Sequence, residues 1–331
     1  MTDDLRAGDV ARGRRRAAVL GAALGGCALV AASTTPAAAQ PVAAQPVAAQ
    51  PVAVHPAATH PADHGLSHGH DRDLTYVALG DSYTSGPVIP DQVDANCARS
   101  DRNYPSLVAA QRRATVFKDV SCAAATTNEM WKAQGTNGPQ LDAVGRNTDL
   151  VTVQIGGNDV GFGPIIGTCA SLAAQDPTGN PCERSYNAAG YDRLALTIAQ
   201  TAPKIDRVLR AVHDRAPHAR VLVVGYPDLL PDDGSGCFPS VPFAQGDFPY
   251  LRDTEKRLNL MLRLVAAWNG AEYVDTYRPT VGHDMCKAPA DRWIEPLRPA
   301  SPAAPAHPNA TGEAAMAQAV LDRLAQPRGR D

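Results

Sequence analysis

Five short apolar runs, separated by long amphipathic stretches, constrain the fold of this chain more than any other feature. The runs are 74–79, 115–120 (TVFKDV), 149–155 (DLVTVQI), 219–226 (ARVLVVGY) and 272–275 (EYVD). Helical patterns occupy 105–113, 191–215, 247–268 and 311–325, with apolar residues at helical spacing in 191–215. A strand with one wet face would alternate apolar and polar residues. Near-continuous Val, Leu and Ile instead predict a parallel sheet covered by helices on both faces. No linker-like composition divides 73–331, so this stretch reads as one doubly wound α/β domain of roughly 250 residues.

Residues before 73 have a different character. Arg12, Arg14, Arg15 and Arg16 precede an apolar run at 17–32, which small residues close at Ala37, Ala38 and Ala39. A basic region, a short apolar core and an A-x-A-like site mark 1–39 as a secretion signal peptide cut after Ala39, for the general or the twin-arginine export route. Leu24-Gly25-Gly26-Cys27 loosely resembles a lipidation site, but the apolar run continues past Cys27, which ranks that reading second. Residues 40–72 form an Ala/Pro/His-rich linker expected to be disordered. AQPVA repeats three times within 39–53, and a proline at every fifth position blocks both helix and sheet. His55, His60, His64, His68 and His70 lie on this arm, where scattered imidazoles lack the geometry of a metal site.

The balance of 31 basic against 34 acidic residues, a formal charge of −3, contains no basic block in the domain and argues against nucleic acid as a partner. Beyond the N-terminus no stretch approaches the ~18 consecutive apolar residues of a membrane span. Of seven cysteines, six remain after the signal: Cys97, Cys122, Cys169, Cys182, Cys237 and Cys286. An even number in an exported chain predicts disulfides, with fifteen pairings open, and the absence of C-x-x-C disfavours metal ligation.

The chemistry gathers in three stretches. In YVALGDSYTSG (76–86) an apolar run halts at Gly80, Asp81 and Ser82, a strand ending in a sharp turn that can hold a serine hydroxyl exposed. IGGNDVGFG (155–163) puts Asn158 on a glycine-rich turn after the strongest strand, with Gly156 beside it, and HPNATG starts a loop into the last helix with His307. Parallel strands share one carboxyl edge, so Ser82 and Asn158 are expected on the same side of the sheet, within reach of His307. Together they supply what ester cleavage needs: a nucleophile, an imidazole to take and return its proton, and amide donors aimed at the developing oxyanion.

GDS, then G-x-N-D, then a C-terminal histidine, in that order over about 74–326, resemble the SGNH or GDSL hydrolase superfamily. CARSDRNYP, SCAAATT, VGYP, GHDMC and RW-EPL narrow the likeness to its secreted actinomycete (Streptomyces-type) lipases, esterases and phospholipases. The resemblance implies a flavodoxin-like three-layer α/β/α sandwich with a central parallel sheet. It also implies no cofactor and sequential disulfides, Cys97 with Cys122, Cys169 with Cys182 and Cys237 with Cys286. It assigns Ser82 and His307 to catalysis, and Ser82 N–H, Asn158 and the second-block N–H to the oxyanion hole. Two departures stand out. Ala124 occupies the position where relatives carry glycine, and a positive φ there would strain it. Many relatives have aspartate three positions before the histidine, where this chain has Ala304, so a Ser82/His307 dyad is expected, oriented by the carbonyl of Ala304 or Pro305, with Asp291 as the rival acid.

Other residues have structural explanations. Asp81 and Asp159 are read as hydrogen-bonding their own turns. His213 and His218 flank a helix end where a cation suits the dipole. His283 orders a loop tied by Cys286, and Trp131, Trp268 and Trp293 are read as core or cleft wall. The chain is thus expected to be a secreted, monomeric serine hydrolase of small-molecule or lipid esters, making transient contact with lipid surfaces. A polysaccharide acetylesterase with the same machinery and a non-catalytic envelope-binding protein are the alternatives.

Overall fold

The computed structural model describes residues 74–328. The expected signal peptide and linker, with Cys27 and the five arm histidines, lie outside the described residues. In chain order the elements are β1 (Thr75–Gly80), α1 (Ser82–Ser85), β2 (Gln92–Asp94), β3 (Arg99–Ser100), α2 (Tyr104–Gln111), β4 (Val116–Asp119) and β5 (Leu150–Gln154). Then come α3 (Gly157–Val160), α4 (Phe162–Ala173), α5 (Pro181–Asn187), α6 (Arg193–Arg215), β6 (Arg220–Val224), α7 (Phe248–Trp268), β7 (Glu272–Val274), α8 (Tyr277–Thr280) and α9 (Ala310–Ala325).

All five expected strands form one parallel sheet in the order β4-β1-β5-β6-β7, with Val77 opposite Val151, Val151 opposite Val221 and Val223 opposite Tyr273. Counting only these strands, the order is 2-1-3-4-5, the flavodoxin-like arrangement. Its direction of winding reverses between β1 and β5, and the crevice at their carboxyl ends is where such sheets bind ligands. Successive side chains of a strand point to opposite faces. Val77, Leu79, Val151, Val153, Val221 and Val223 accordingly pack with Ile198, Ile205 and Leu209 of α6 and Leu258, Leu262 and Val265 of α7. Tyr76, Ala78, Leu222 and Val224 pack instead with Tyr104 and Val108 of α2 and Met316 and Val320 of α9. Three layers result.

The long helices start where their caps dictate. Asp192 accepts from the N–H groups of Leu194 and Ala195, and Asn309 from those of Thr311 and Gly312, so each satisfies two donors that a first turn leaves free. The three sequential disulfides are present, with Cα separations of 4.2, 4.9 and 5.6 Å. Cys169–Cys182 ties α4 to α5, while Cys97–Cys122 and Cys237–Cys286 each bridge a span that contains a strand of the parallel sheet, β4 and β7 respectively.

Several local expectations are corrected. The antiparallel β2–β3 ribbon and helices α4 and α5 were not legible, because the ribbon strands are only three and two residues long, glycine and proline interrupt α4, and α5 is a short seven-residue helix. Trp268 is 79% exposed, at the end of α7, and is no core residue. Burial lowers the His213 pKa, which disfavours the cation expected at the end of α6. Trp131 is partly buried beneath the Arg207 guanidinium, 4.4 Å from its ring centroid. Trp293 stacks on His283 with ring centroids 3.5 Å apart, and the His283 Nδ1 meets the carbonyl of Asp291.

Candidate active site

Strand β1 delivers its serine through a turn that only glycine permits. A Cβ on Gly80 would lie 2.8 Å from the Gln154 carbonyl oxygen and would collide with the Thr84 side chain. Asp81 then accepts the Tyr83 N–H at 2.9 Å, capping the single-turn α1 and leaving Ser82 at its start, 9% exposed. The loop before α9 brings His307 to it. The Ser82 Oγ and His307 Nε2 are 2.7 Å apart, although 225 residues separate them in sequence.

The other ring nitrogen, Nδ1, is 2.8 Å from the Pro305 carbonyl oxygen. A carbonyl only accepts, so Nδ1 carries the hydrogen and Nε2 turns its lone pair toward the serine hydroxyl. Ala304 meets the backbone of His307 instead, its carbonyl accepting the His307 N–H. Asp291 is exposed, and its carboxylate makes no bond to the imidazole. Tyr83 stacks on the His307 ring at 4.6 Å between centroids, and Phe162 meets it edge-on at 5.9 Å. The Tyr83 hydroxyl donates to the Ala306 carbonyl at 2.6 Å, and Ala306 takes a left-handed φ of 61° that a non-glycine residue adopts at a cost. Burial pulls the His307 pKa down to about 4, with the Pro305 bond opposing only in part.

The turn after β5 supplies an amide. Gly156 has φ 121°, open only to glycine, and it swings the chain into α3. The Asn158 Nδ2 donates one hydrogen to the Ala125 carbonyl at 2.9 Å, which orients the amide and leaves its second hydrogen free for another acceptor. Ala124 sits at φ 66°, the strained geometry foreseen for a glycine-to-alanine change. The N–H groups of its neighbours Ala123 and Ala125 are spent on Cys97 and Cys122, while among the described residues that of Ala124 has no acceptor. Asp159 does not bond its own turn as expected. Its carboxylate accepts the N–H and hydroxyl of Thr127 at 2.8 and 2.7 Å, with Lys204 at 3.2 Å, and so ties α3 to the segment after Ala124.

The profile of the GDSL-like Lipase/Acylhydrolase family matches residues 78–315, from within β1 through the histidine loop into α9. The chain belongs to this family.

Like other members, this GDSL hydrolase is a carboxylic ester hydrolase. It is 43% identical over 257 residues to Lipase 2 of Streptomyces coelicolor, covering 76% of this chain and 86% of that protein. An esterase of Streptomyces scabiei is 30% identical, over 75% of this chain and 85% of that protein. Among solved structures, phospholipase A1 from Streptomyces albidoflavus superposes with a TM-score of 0.64 at 27% identity, covering 76% of this chain and 99% of that one. The extracellular lipase from Streptomyces rimosus gives 0.62 at 30%, with the same coverage.

Two residues of the GDSL hydrolase site escaped sequence reasoning. Tyr226, at the end of β6, donates its hydroxyl to the second oxygen of Asp81 at 2.6 Å and accepts the Gly157 N–H at 2.8 Å. It thereby bolts the serine turn to the asparagine turn. Asn259 holds the tyrosine's own N–H and carbonyl at 2.8 and 2.9 Å. Burial raises the Asp81 pKa to about 7, against the lowering effect of the Tyr226 bond. Gln140 is the second. Its side chain pairs with both the N–H and the carbonyl of Gly80, at 2.8 and 2.9 Å. The tyrosine was visible in VGYP, where a polar aromatic ends an otherwise aliphatic strand; nothing local marked the glutamine.

Beside Ser82 and Asn158 opens a cavity whose walls are largely apolar, lined by Val160, Phe162, Ile165, Leu229, Phe243 and Met285. Helix α7 contributes Leu251, Thr254, Glu255 and Leu258.

Proposed function

We propose that this GDSL hydrolase is an exported serine esterase acting on carboxylic esters with apolar acyl groups, lipid esters foremost. The observation that carries the proposal is the relay from Ser82 Oγ to His307 Nε2, with Nδ1 anchored on the Pro305 carbonyl. In the first step the Ser82 oxygen bonds to the acyl carbon while its proton passes to Nε2, and the carbonyl electrons move onto oxygen. The N–H groups of Ser82 and Ala124 and the free hydrogen of Asn158 receive that oxyanion. Collapse breaks the carbon–alkoxide bond, and His307 returns the proton to the departing alkoxide. Water then repeats the sequence on the acyl-serine, His307 taking its proton and giving it back to Ser82.

The apolar cavity favours acyl chains over the shallow polar cleft that an acetylated sugar would need. Three disulfides and likeness to an extracellular lipase support export. Initial rates on p-nitrophenyl esters from acetyl to palmitoyl, beside a phospholipid and an acetylated sugar, test the substrate class. Labelling by an organophosphonate tests the nucleophile: it occurs in wild type, is lost in Ser82→Ala and survives a metal chelator. Labelling that persists in Ser82→Ala would exclude Ser82.

A further inference from the structure

One side chain of the cavity wall does not match its surroundings. On α7, Leu251, Thr254, Glu255 and Leu258 follow at intervals of three, one and three, which places them on one helix face turned to the cavity. Thr254 disposes of its hydroxyl inside the helix by donating to the Tyr250 carbonyl at 2.8 Å. Glu255 has no such outlet. The residue is 8% exposed. Its Oε2 accepts the Leu229 N–H at a long 3.3 Å, and its Oε1 has no partner among the described residues. Lys256, the adjacent cation, pairs with Asp232 and only weakly offsets the burial of Glu255, which among the described residues forms no ion pair.

A carboxyl in this position is not needed to build the helix or the wall, since leucine or methionine would fill an apolar face at lower cost. Burial first, and the neighbouring Asp228 second, raise the Glu255 pKa well above its ordinary value and so favour the neutral carboxyl with an O–H to give. A neutral carboxyl both donates and accepts. The complementary ligand is therefore a small neutral group of the same dual character, attached to an otherwise apolar chain.

We propose that Glu255 is a specificity-determining residue of the acyl cavity, its free oxygen hydrogen-bonding a hydroxyl carried part-way along the acyl chain of the ester. The preferred substrates are then hydroxyacyl esters. This rests on the catalytic assignment above, because the cavity is an acyl site only if Ser82 is acylated.

The experiment compares kcat/KM for p-nitrophenyl dodecanoate with a series of the same ester bearing one hydroxyl at successive chain positions. In wild type one position is favoured over its neighbours. In Glu255→Leu the ratio of that hydroxylated ester to plain dodecanoate falls roughly tenfold, the loss of about one hydrogen bond. Glu255→Gln, which keeps donor and acceptor, retains most of the preference and shows that the effect belongs to hydrogen bonding and not to altered packing. A flat positional profile in wild type, or a ratio unchanged in Glu255→Leu, overturns the inference while leaving the esterase intact. A wild type that cleaves none of the esters removes the catalytic assignment and this inference with it.

Discussion

Lowering the pH tests the orientation of His307 directly. The imidazole is competent only when neutral, and burial of the ring opposes its protonation, while the Pro305 carbonyl oxygen facing Nδ1, which bears no full charge, favours the imidazolium only in part. A carboxylate in that place would favour the imidazolium and raise the pKa. With a pKa of about 4, the imidazole stays neutral well below the range where an ordinary histidine titrates. At pH 5 roughly 90% of such a group is neutral, against about 3% of one titrating at an unperturbed ~6.5, a contrast of some thirtyfold in competent enzyme. The assay is kcat/KM for a soluble short-chain p-nitrophenyl ester from pH 8 down to 3.5, with product read at its isosbestic wavelength. The acid limb should fall near pH 4, and Asp291→Asn should leave it in place. Asp81, with its own pKa of about 7, is the competing source of a limb near neutrality, and Asp81→Asn separates the two. A limb centred near ~6.5 in both wild type and Asp81→Asn would refute the reasoning, since His307 would then be titrating as an ordinary imidazole.

Three further outcomes are expected. Asn158→Ala should lower kcat by ~10²–10³ with little change in KM, the loss of one preorganised oxyanion donor, measured by steady-state kinetics. Tyr226→Phe deletes both bonds that join the Asp81 and Gly157 turns. It should cut kcat about tenfold or more at nearly constant KM and reduce stability by ~1–3 kcal/mol, checked by rate and by chemical denaturation. Ala124→Gly relieves a left-handed φ worth ~1–2 kcal/mol, partly offset by the greater freedom of glycine in the unfolded chain, so the midpoint of denaturation should rise while activity holds.

The sheet was legible because burial on both faces leaves a signature that no turn or loop imitates: DLVTVQI and ARVLVVGY admit little but a central strand. Ser82, Asn158 and His307 were legible for a different reason. Each stands at the end of an element, flanked by glycine or proline, and such turns announce themselves. What stayed hidden depends on contacts between distant segments. The orienting carbonyl was expected from Ala304 or Pro305, but it is a main-chain atom, so no residue type chooses between the two. Asp159 looked like a local cap, but its partner is Thr127, 32 residues away. Gln140 is one glutamine among many until it lies against Gly80. Trp268 was misplaced because an aromatic on an amphipathic helix usually turns inward, whereas here it lies on the outward face of α7 in line with Leu260 and Leu264, which are exposed as well.

The loop that presents His307 has a temporal consequence. Ser82 leaves the ribosome early and His307 some two hundred residues later, and their meeting requires α9 to dock against α2 and the Tyr83 hydroxyl to catch the Ala306 carbonyl. Until that last helix seats, the nascent polypeptide carries an alcohol with nothing to deprotonate it. On the proposed mechanism the protein is therefore armed only once His307 is in place, and until then Ser82 has no relay to an imidazole.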